Sequence, residues 1–313
     1  MKPARRAVID IGTNSIKMLV GEVSEGEVHP IDERSDQTRL GAGFYDTHEL
    51  QPVPIERTAG AVARFVALAR EEEAGSIRII ATSAAREAKN AHELLEAVRR
   101  AVGLRVEIIS GEQEAEWVFR GVTSHPGLPR KKLLILDVGG GSTEFILGEQ
   151  DHHSFRQSFP IGSVRLLEKL RPRDPPALAD LAGCREWLQK FFDLHIGPVM
   201  GPLLHGVDRK DVVLVGTGGT TTILARITNK LEHFDRARIE GTRLDQRAIL
   251  EHMVHLWSLS IADRRKIPGL PSSRADVIIM GVAIYESVVN QLEIAELYVS
   301  TRGLRFGALL DSP

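Results

Sequence analysis

Asp10-Ile11-Gly12-Thr13-Asn14-Ser15 and Asp137-Val138-Gly139-Gly140-Gly141-Ser142 place a carboxylate, small residues and a hydroxyl at matching offsets in the two halves of the chain. Each follows an apolar run (Ala7-Val8-Ile9; Leu133-Leu134-Ile135-Leu136) and leads into another that closes on Gly-Glu. That order reads as strand, tight polar turn, strand: a β-hairpin with a polar tip. Small residues let backbone N–H groups converge on an anion, and a nearby Asp holds a cation that neutralises it. Two such tips facing each other make a phosphate clamp. A lone Asp-x-Gly turn is ordinary structure, but a simple turn has no use for Asp and Ser in both copies. Gly139-Gly140-Gly141 is also conformationally expensive for a mere hairpin. The candidate phosphate binders are Gly12, Thr13, Asn14 and Ser15 on one tip and Gly139, Gly140, Gly141, Ser142 and Thr143 on the other.

Asp137 and Glu144 flank the second tip and suit Mg²⁺, or another hard divalent cation such as Mn²⁺, with Asp10 as a third oxygen donor. Lys17 occupies the offset of Glu144 in the first copy. It reads either as the cationic counterpart of a metal-binding residue or as a solvent-facing hairpin residue. A third turn, Gly216-Thr217-Gly218-Gly219-Thr220, lies between a strand and a helix. Gly218 and Gly219 there suit either phosphate or a close-packed crossover. No Gly-Lys-Ser/Thr follows, so it is not a Walker loop. Arg86, just after the strand predicted over 77–82, has a fork that grips two phosphate oxygens, and it equally fits a solvated helix start. Glu112 and Glu114 both fall in the first turn of a helix predicted over 111–122. Both suit a helix N-terminus and both could act as a base, so the residues alone do not choose.

Other reactive residue types carry less. His152 and His153 are adjacent on a strand and point to opposite faces. His252 and His255 have no acidic partner at zinc-motif spacing. Cys184 is the single cysteine, so no internal disulfide forms; a buried apolar role suits it, and a reducing cytoplasm is the expected compartment. Arg264-Arg265-Lys266 reads as a solvated basic surface or the rim of a polyanion channel.

The elements that must position these residues follow from periodicity. A length of 313 residues with a duplicated motif allows two domains, and 42% hydrophobic content is enough for a core in each. A net charge of −2 gives no global field for nucleic acid or an anionic membrane, and no apolar run is long enough to span a bilayer. Helices are predicted over 55–73, 90–102, 111–122, 162–170, 177–195, 245–259 and 275–292, and strands over 77–82, 105–109, near 155–160, 212–215 and 297–300. Residues 33–45 read as a loop or irregular strand, and 124–129 as a linker. The repeated β-β-β-α-β-α order predicts mixed sheets flanked by helices, an α/β fold distinct from a pure βαβ arrangement.

Six segments together resemble the actin / sugar-kinase / heat-shock-chaperone ATPase superfamily and, within it, the exopolyphosphatase / guanosine pentaphosphate phosphohydrolase (Ppx/GppA) family. They are Asp10 to Ser15, Ala81 to Asn90, Ser110 to Ala115, Asp137 to Glu144, Gly216 to Gly219 and Pro268 to Asp276. The resemblance covers essentially the whole chain and matches the short form of the family. It implies two actin-like, ribonuclease H-like domains: residues 1–127, completed by a terminal helix within 300–313, and residues 128–299, with the site in the cleft between them. It assigns Glu114 as the catalytic carboxylate, in Ser-Gly-x-x-Glu-Ala, and tips Arg86 towards phosphate binding. The implied reaction is metal-dependent release of orthophosphate from inorganic polyphosphate, or alternatively conversion of guanosine pentaphosphate to tetraphosphate. A small-molecule kinase and a non-catalytic nucleotide-binding regulator stand behind these. Expected partners are the substrate and, at most, a second copy in a homodimer. One departure is Phe306, where the family commonly has Glu after Gly-Leu-Arg.

Overall fold

Alternation along the hairpin strands decides where the charged residues go. The structure, a computed structural model, describes residues 4–128, 131–149 and 152–311, so Pro129 of the expected linker lies outside it. The first sheet contains β1 (Ala4–Ile11), β2 (Ile16–Ser24), β3 (Glu27–Asp36), β4 (Ser76–Ala81) and β5 (Val106–Ile108) in the order β3-β2-β1-β4-β5. β1, β2 and β3 are antiparallel; β1, β4 and β5 are parallel. Its helices are α1 (Phe44–Thr47), α2 (Pro52–Glu71), α3 (Ser83–Glu87), α4 (Ala91–Val102) and α5 (Gly111–Thr123).

The second sheet contains β6 (Lys132–Val138), β7 (Thr143–Glu149), β8 (His152–Phe159), β9 (Val212–Thr217), β10 (Arg243–Asp245) and β11 (Glu296–Val299), ordered β10-β11-β9-β6-β7-β8. Its connections carry α6 (Ser163–Leu170), α7 (Leu178–Phe191), α8 (Gly197–Leu204), α9 (Gly218–Thr228), α10 (Arg236–Ile239), α11 (Gln246–Ser258), α12 (Ile261–Arg264) and α13 (Ile278–Gln291), and the chain ends in α14 (Leu304–Leu310). Two mixed sheets opened by equivalent hairpins make this the actin-like fold.

Residues one apart on a strand face opposite sides. Ala7, Ile9 and Ile11 of β1, with Ile16, Met18 and Val20 of β2, join the core beneath α2 and α4. Val8 and Leu19 face the other way, into a cluster that includes Trp117, Val118 and Phe119 of α5 and Phe306, Ala308 and Leu309 of α14. In the second lobe, Leu134, Leu136, Val138, Phe145 and Leu147 point outward to their own helices, while Leu133, Ile135 and Ile146 point inward to the same central cluster. Helices α5 and α14 are thus wedged between the inner faces of both sheets. At the tips those inner positions fall to Asp10, Lys17, Asp137 and Glu144.

Some elements differ from the sequence expectation. The segment read as loop or irregular strand begins inside β3; only Val28 of that edge strand is buried, so it shows no apolar period. The helix expected over 177–195 ends at Phe191, passes through a π turn (Phe192–Ile196) and restarts as α8 at Gly197-Pro198. Arg264 is buried, its Nη1 donating to the carbonyl of Ala275 at 2.7 Å, so it belongs to the core of the second lobe and not to a basic surface. Among the described residues no helix is long and apolar enough to cross a membrane.

Candidate active site

Both tips close in the same way. Gly12 N–H donates to the Ser15 carbonyl at 3.1 Å, and Gly139 N–H donates to the Ser142 carbonyl at 2.9 Å. Directly below, Asp10 lies opposite Lys17 in one hairpin and Asp137 lies opposite Glu144 in the other. The tips meet in the cleft: a Cβ on Gly140 would sit 3.0 Å from Thr13 Cβ, and one on Gly141 would collide with Tyr45 Oη and Ser83 Oγ. Only glycine permits that approach. Gly218, at φ 89°, starts α9 against the Asp137 carboxylate, and the Arg274 guanidinium covers Gly219.

Helix α5 carries Glu114 into this space. Ser110 caps it by accepting from Gln113 N–H at 3.1 Å. Glu114 shares a helix face with Trp117, Val118 and Gly121, all buried in the central wedge, whereas Glu112 is exposed. Arg86, on α3, donates from Nη1 to Glu114 Oε2 at 3.0 Å and to the carbonyl of Ile109 at 3.0 Å. Glu144 accepts from Ser142 Oγ at 2.9 Å and from Ser158 Oγ at 2.8 Å.

Burial dominates the electrostatics. It pushes the Glu114 carboxyl well above the ordinary range, aided by Glu144 and opposed by Arg86. It raises Glu144 to about 7, with Asp137 adding to the rise and the two serines opposing it. It raises Asp10 to about 6, opposed chiefly by Lys17 and Arg305, and raises Asp137 as well. Lys17 is half-buried and shifts down, by desolvation and by Arg305. It makes no hydrogen bond or ion pair with the described residues. Asp10 Oδ1 and Asn14 Nδ2 are likewise buried without a partner. An unpaired acceptor, an amide donor and an ammonium thus gather where the two glycine tips meet. A cavity of about 620 Å³ extends from Arg86 and Ser142 outward between α5 and β8.

The sequence profile of the Ppx/GppA phosphatase family matches residues 19–312. The chain belongs to that family. It is 30% identical to exopolyphosphatase 2 of Mycobacterium tuberculosis, over 99% of both chains. The crystal structure of the Aquifex aeolicus Ppx/GppA family member is 32% identical, with a TM-score of 0.79 over 98% of this chain and 96% of that one. An exopolyphosphatase from Cytophaga hutchinsonii is 26% identical, with a TM-score of 0.87 over 98% of each chain.

Within this Ppx/GppA chain, the residues singled out in the sequence come together around the two tips, with three changes of detail. The N–H groups of Gly12 and Gly139 are used in closing their own tips, so they shape the loops and do not face a phosphate. The Thr143 hydroxyl turns away, donating to the Ile161 carbonyl at 2.6 Å. Lys17 is not a solvent-facing hairpin residue: strand parity sends it inward with Asp10. His153 lies beside Glu116 and Arg156, and His252 contacts the Thr228 hydroxyl. Sequence reasoning did not assign site roles to Arg274, Arg305, Ser158 or Arg165. Arg274 lies within the Pro268 to Asp276 segment and Arg305 within Gly303-Leu304-Arg305, whereas Ser158 and Arg165 reach the site only through tertiary contacts.

Proposed function

We propose that this phosphatase-family chain is an exopolyphosphatase, hydrolysing the terminal phosphoanhydride of inorganic polyphosphate to orthophosphate. The observation that carries the reading is the buried Glu114–Arg86 pair beside two glycine tips, with unpartnered polar groups converging between them. The terminal phosphate takes the inner end of the cavity, beside Ser142 of the second tip, with Arg86 balancing its charge. Glu114, as carboxylate, takes a proton from a water molecule as its oxygen bonds to the terminal phosphorus. The bridging P–O bond breaks, and the shortened chain leaves with that oxygen.

Asp10, Asp137 and Glu144 fit a hard divalent cation: all three are inward-facing carboxylates, and Asp10 Oδ1 has no protein partner. Among the described residues no group of three Asp, Glu, His or Cys is placed to hold an ion unaided, so a cation held here would need further oxygen donors. Mg²⁺ bound there supplies charge neutralisation for the transferring phosphoryl group.

The test measures phosphate release from polyphosphate and from guanosine pentaphosphate, by wild type and Glu114→Ala, with Mg²⁺ or with chelator. Release from polyphosphate that needs both Glu114 and the metal supports the reading. Faster turnover of guanosine pentaphosphate would transfer it to that substrate, and no release from either would sink it.

A further inference from the structure

The cavity beside the catalytic pair is larger than one phosphate requires. A water molecule's share of liquid volume is about 30 Å³, so a space of about 620 Å³ takes a row of phosphate groups. One wall is the first turn of α5, with Ser110, Gly111 and Glu112; the other is β8, with Arg156, Gln157 and Ser158. The walls approach closely at the inner end, where a Cβ on Gly111 would lie 2.7 Å from Ser158 Cβ. Arg86 stands at that end, shared with Glu114, and Arg156 is the other cation of the lining. No aromatic ring lines the space among the described residues, so a nucleobase would find nothing to stack on.

Arg156 is held but not used up. Its Nη1 contacts Glu116 Oε2 at 2.5 Å and His153 Nε2 at 2.7 Å, leaving Nε and Nη2 without a partner among the described residues. A guanidinium has five N–H donors in a rigid fork, which suits phosphate oxygens. The Glu116 contact anchors one arm and sets the orientation of the rest.

We propose that Arg156 binds the phosphates behind the terminal one, so that the chain leaves the catalytic pair between α5 and β8 and Arg156 sets the preference for chain length. This rests on the exopolyphosphatase reading. Exposed Glu112, on the opposite wall with no partner among the described residues, is a like charge facing the departing chain and limits its affinity.

The experiment measures KM and kcat for tripolyphosphate and for long-chain polyphosphate with wild type, Arg156→Ala, Arg156→Lys and Glu112→Gln. Loss of a charged hydrogen-bonding partner predicts that Arg156→Ala raises KM for the long chain about tenfold more than KM for tripolyphosphate. Arg156→Lys restores part of the difference, and Glu112→Gln lowers the long-chain KM. An Arg156→Ala effect equal on both substrates, or absent from both, overturns the proposal. If that variant does not fold, a long-chain KM unmoved by Glu112→Gln overturns it instead. A wild type inactive on every polyphosphate would remove the functional reading itself, whereas an active wild type with length-independent variants removes only the subsite.

Discussion

Arg86 and Glu114 come from separate helices of the first lobe and meet through one nitrogen, Nη1, 3.0 Å from Glu114 Oε2 and 3.0 Å from the Ile109 carbonyl. The carbonyl fixes the guanidinium, and the guanidinium in turn fixes the carboxylate. Glu114 thereby keeps one oriented charge partner in a place where burial favours its protonated form. A base held this way titrates above the ordinary carboxylate range.

Replacing Glu114 by Gln keeps an acceptor for Arg86 but removes the base. Phosphate release should fall by about 10²–10⁴-fold, with the circular dichroism spectrum unchanged. A variant retaining more than a tenth of wild-type turnover would remove Glu114 from the chemical step.

Arg86 lowers the pKa of Glu114, so its loss should do the opposite. Arg86→Ala is expected to move the acid limb of kcat/KM to higher pH, and Arg86→Lys to move it less. An acid limb unshifted in Arg86→Ala would show that the pair does not tune the base.

Glu144 has an ordinary pKa of 4.5 and is raised to about 7 in the fold. The native state therefore binds more protons than the unfolded chain across that interval. Its contribution is fully present below about 4.5 and lost as pH rises through about 7. The Tm of metal-free protein should carry a downward slope over this window, and Glu144→Gln should flatten it. Equal slopes for the two proteins would contradict the assignment.

Arg165, on α6, donates from Nη2 to both carboxylate oxygens of Glu87 at 2.6 and 2.7 Å, donates from Nε to the Gly141 carbonyl at 2.7 Å and stacks over Tyr45. It ties the second tip to the helix that carries Arg86. Charged hydrogen bonds of this type are worth about 1.5–3 kcal/mol each. Arg165→Ala should lower kcat/KM about tenfold or more and weaken its dependence on ionic strength, measured from low to high salt.

Gly307 packs α14 onto α5: an added Cβ would collide with the Trp117 carbonyl and lie 2.7 Å from Trp117 Cα. Gly307→Ala should destabilise the protein by about 1–3 kcal/mol, read as a lower midpoint in urea. An unchanged midpoint would mean that the helices separate without cost.

Phe306 illustrates how a local departure finds its own environment. It is buried, with the guanidinium carbons of Arg236 and Arg302 lying 4.8 and 4.9 Å from its ring centroid. Where a carboxylate would pair with such cations, the ring face receives them instead.

The duplicated hairpins, the mixed order of elements and the two glycine tips were legible in the sequence because they are local: alternation, turn residues and short spacings encode them directly. The inward direction of Asp10 and Asp137 was implicit there too, since each shares strand parity with apolar residues of the inner face. The choice between Glu112 and Glu114 was also latent, because only Glu114 has Trp117, Val118 and Gly121 on its own helical face. What the sequence did not contain was the wedge that makes this face a buried one. Whether Lys17 meets solvent or a charged cleft depends on a second sheet assembled more than a hundred residues later in the chain. The same holds for Ser158 on Glu144, Arg165 across the lobes and the cavity between α5 and β8. Residue type and period determined which groups could bind phosphate. Packing two sheets against one pair of helices decided which were desolvated, and desolvation is what raises the pKa of four ordinary carboxylates.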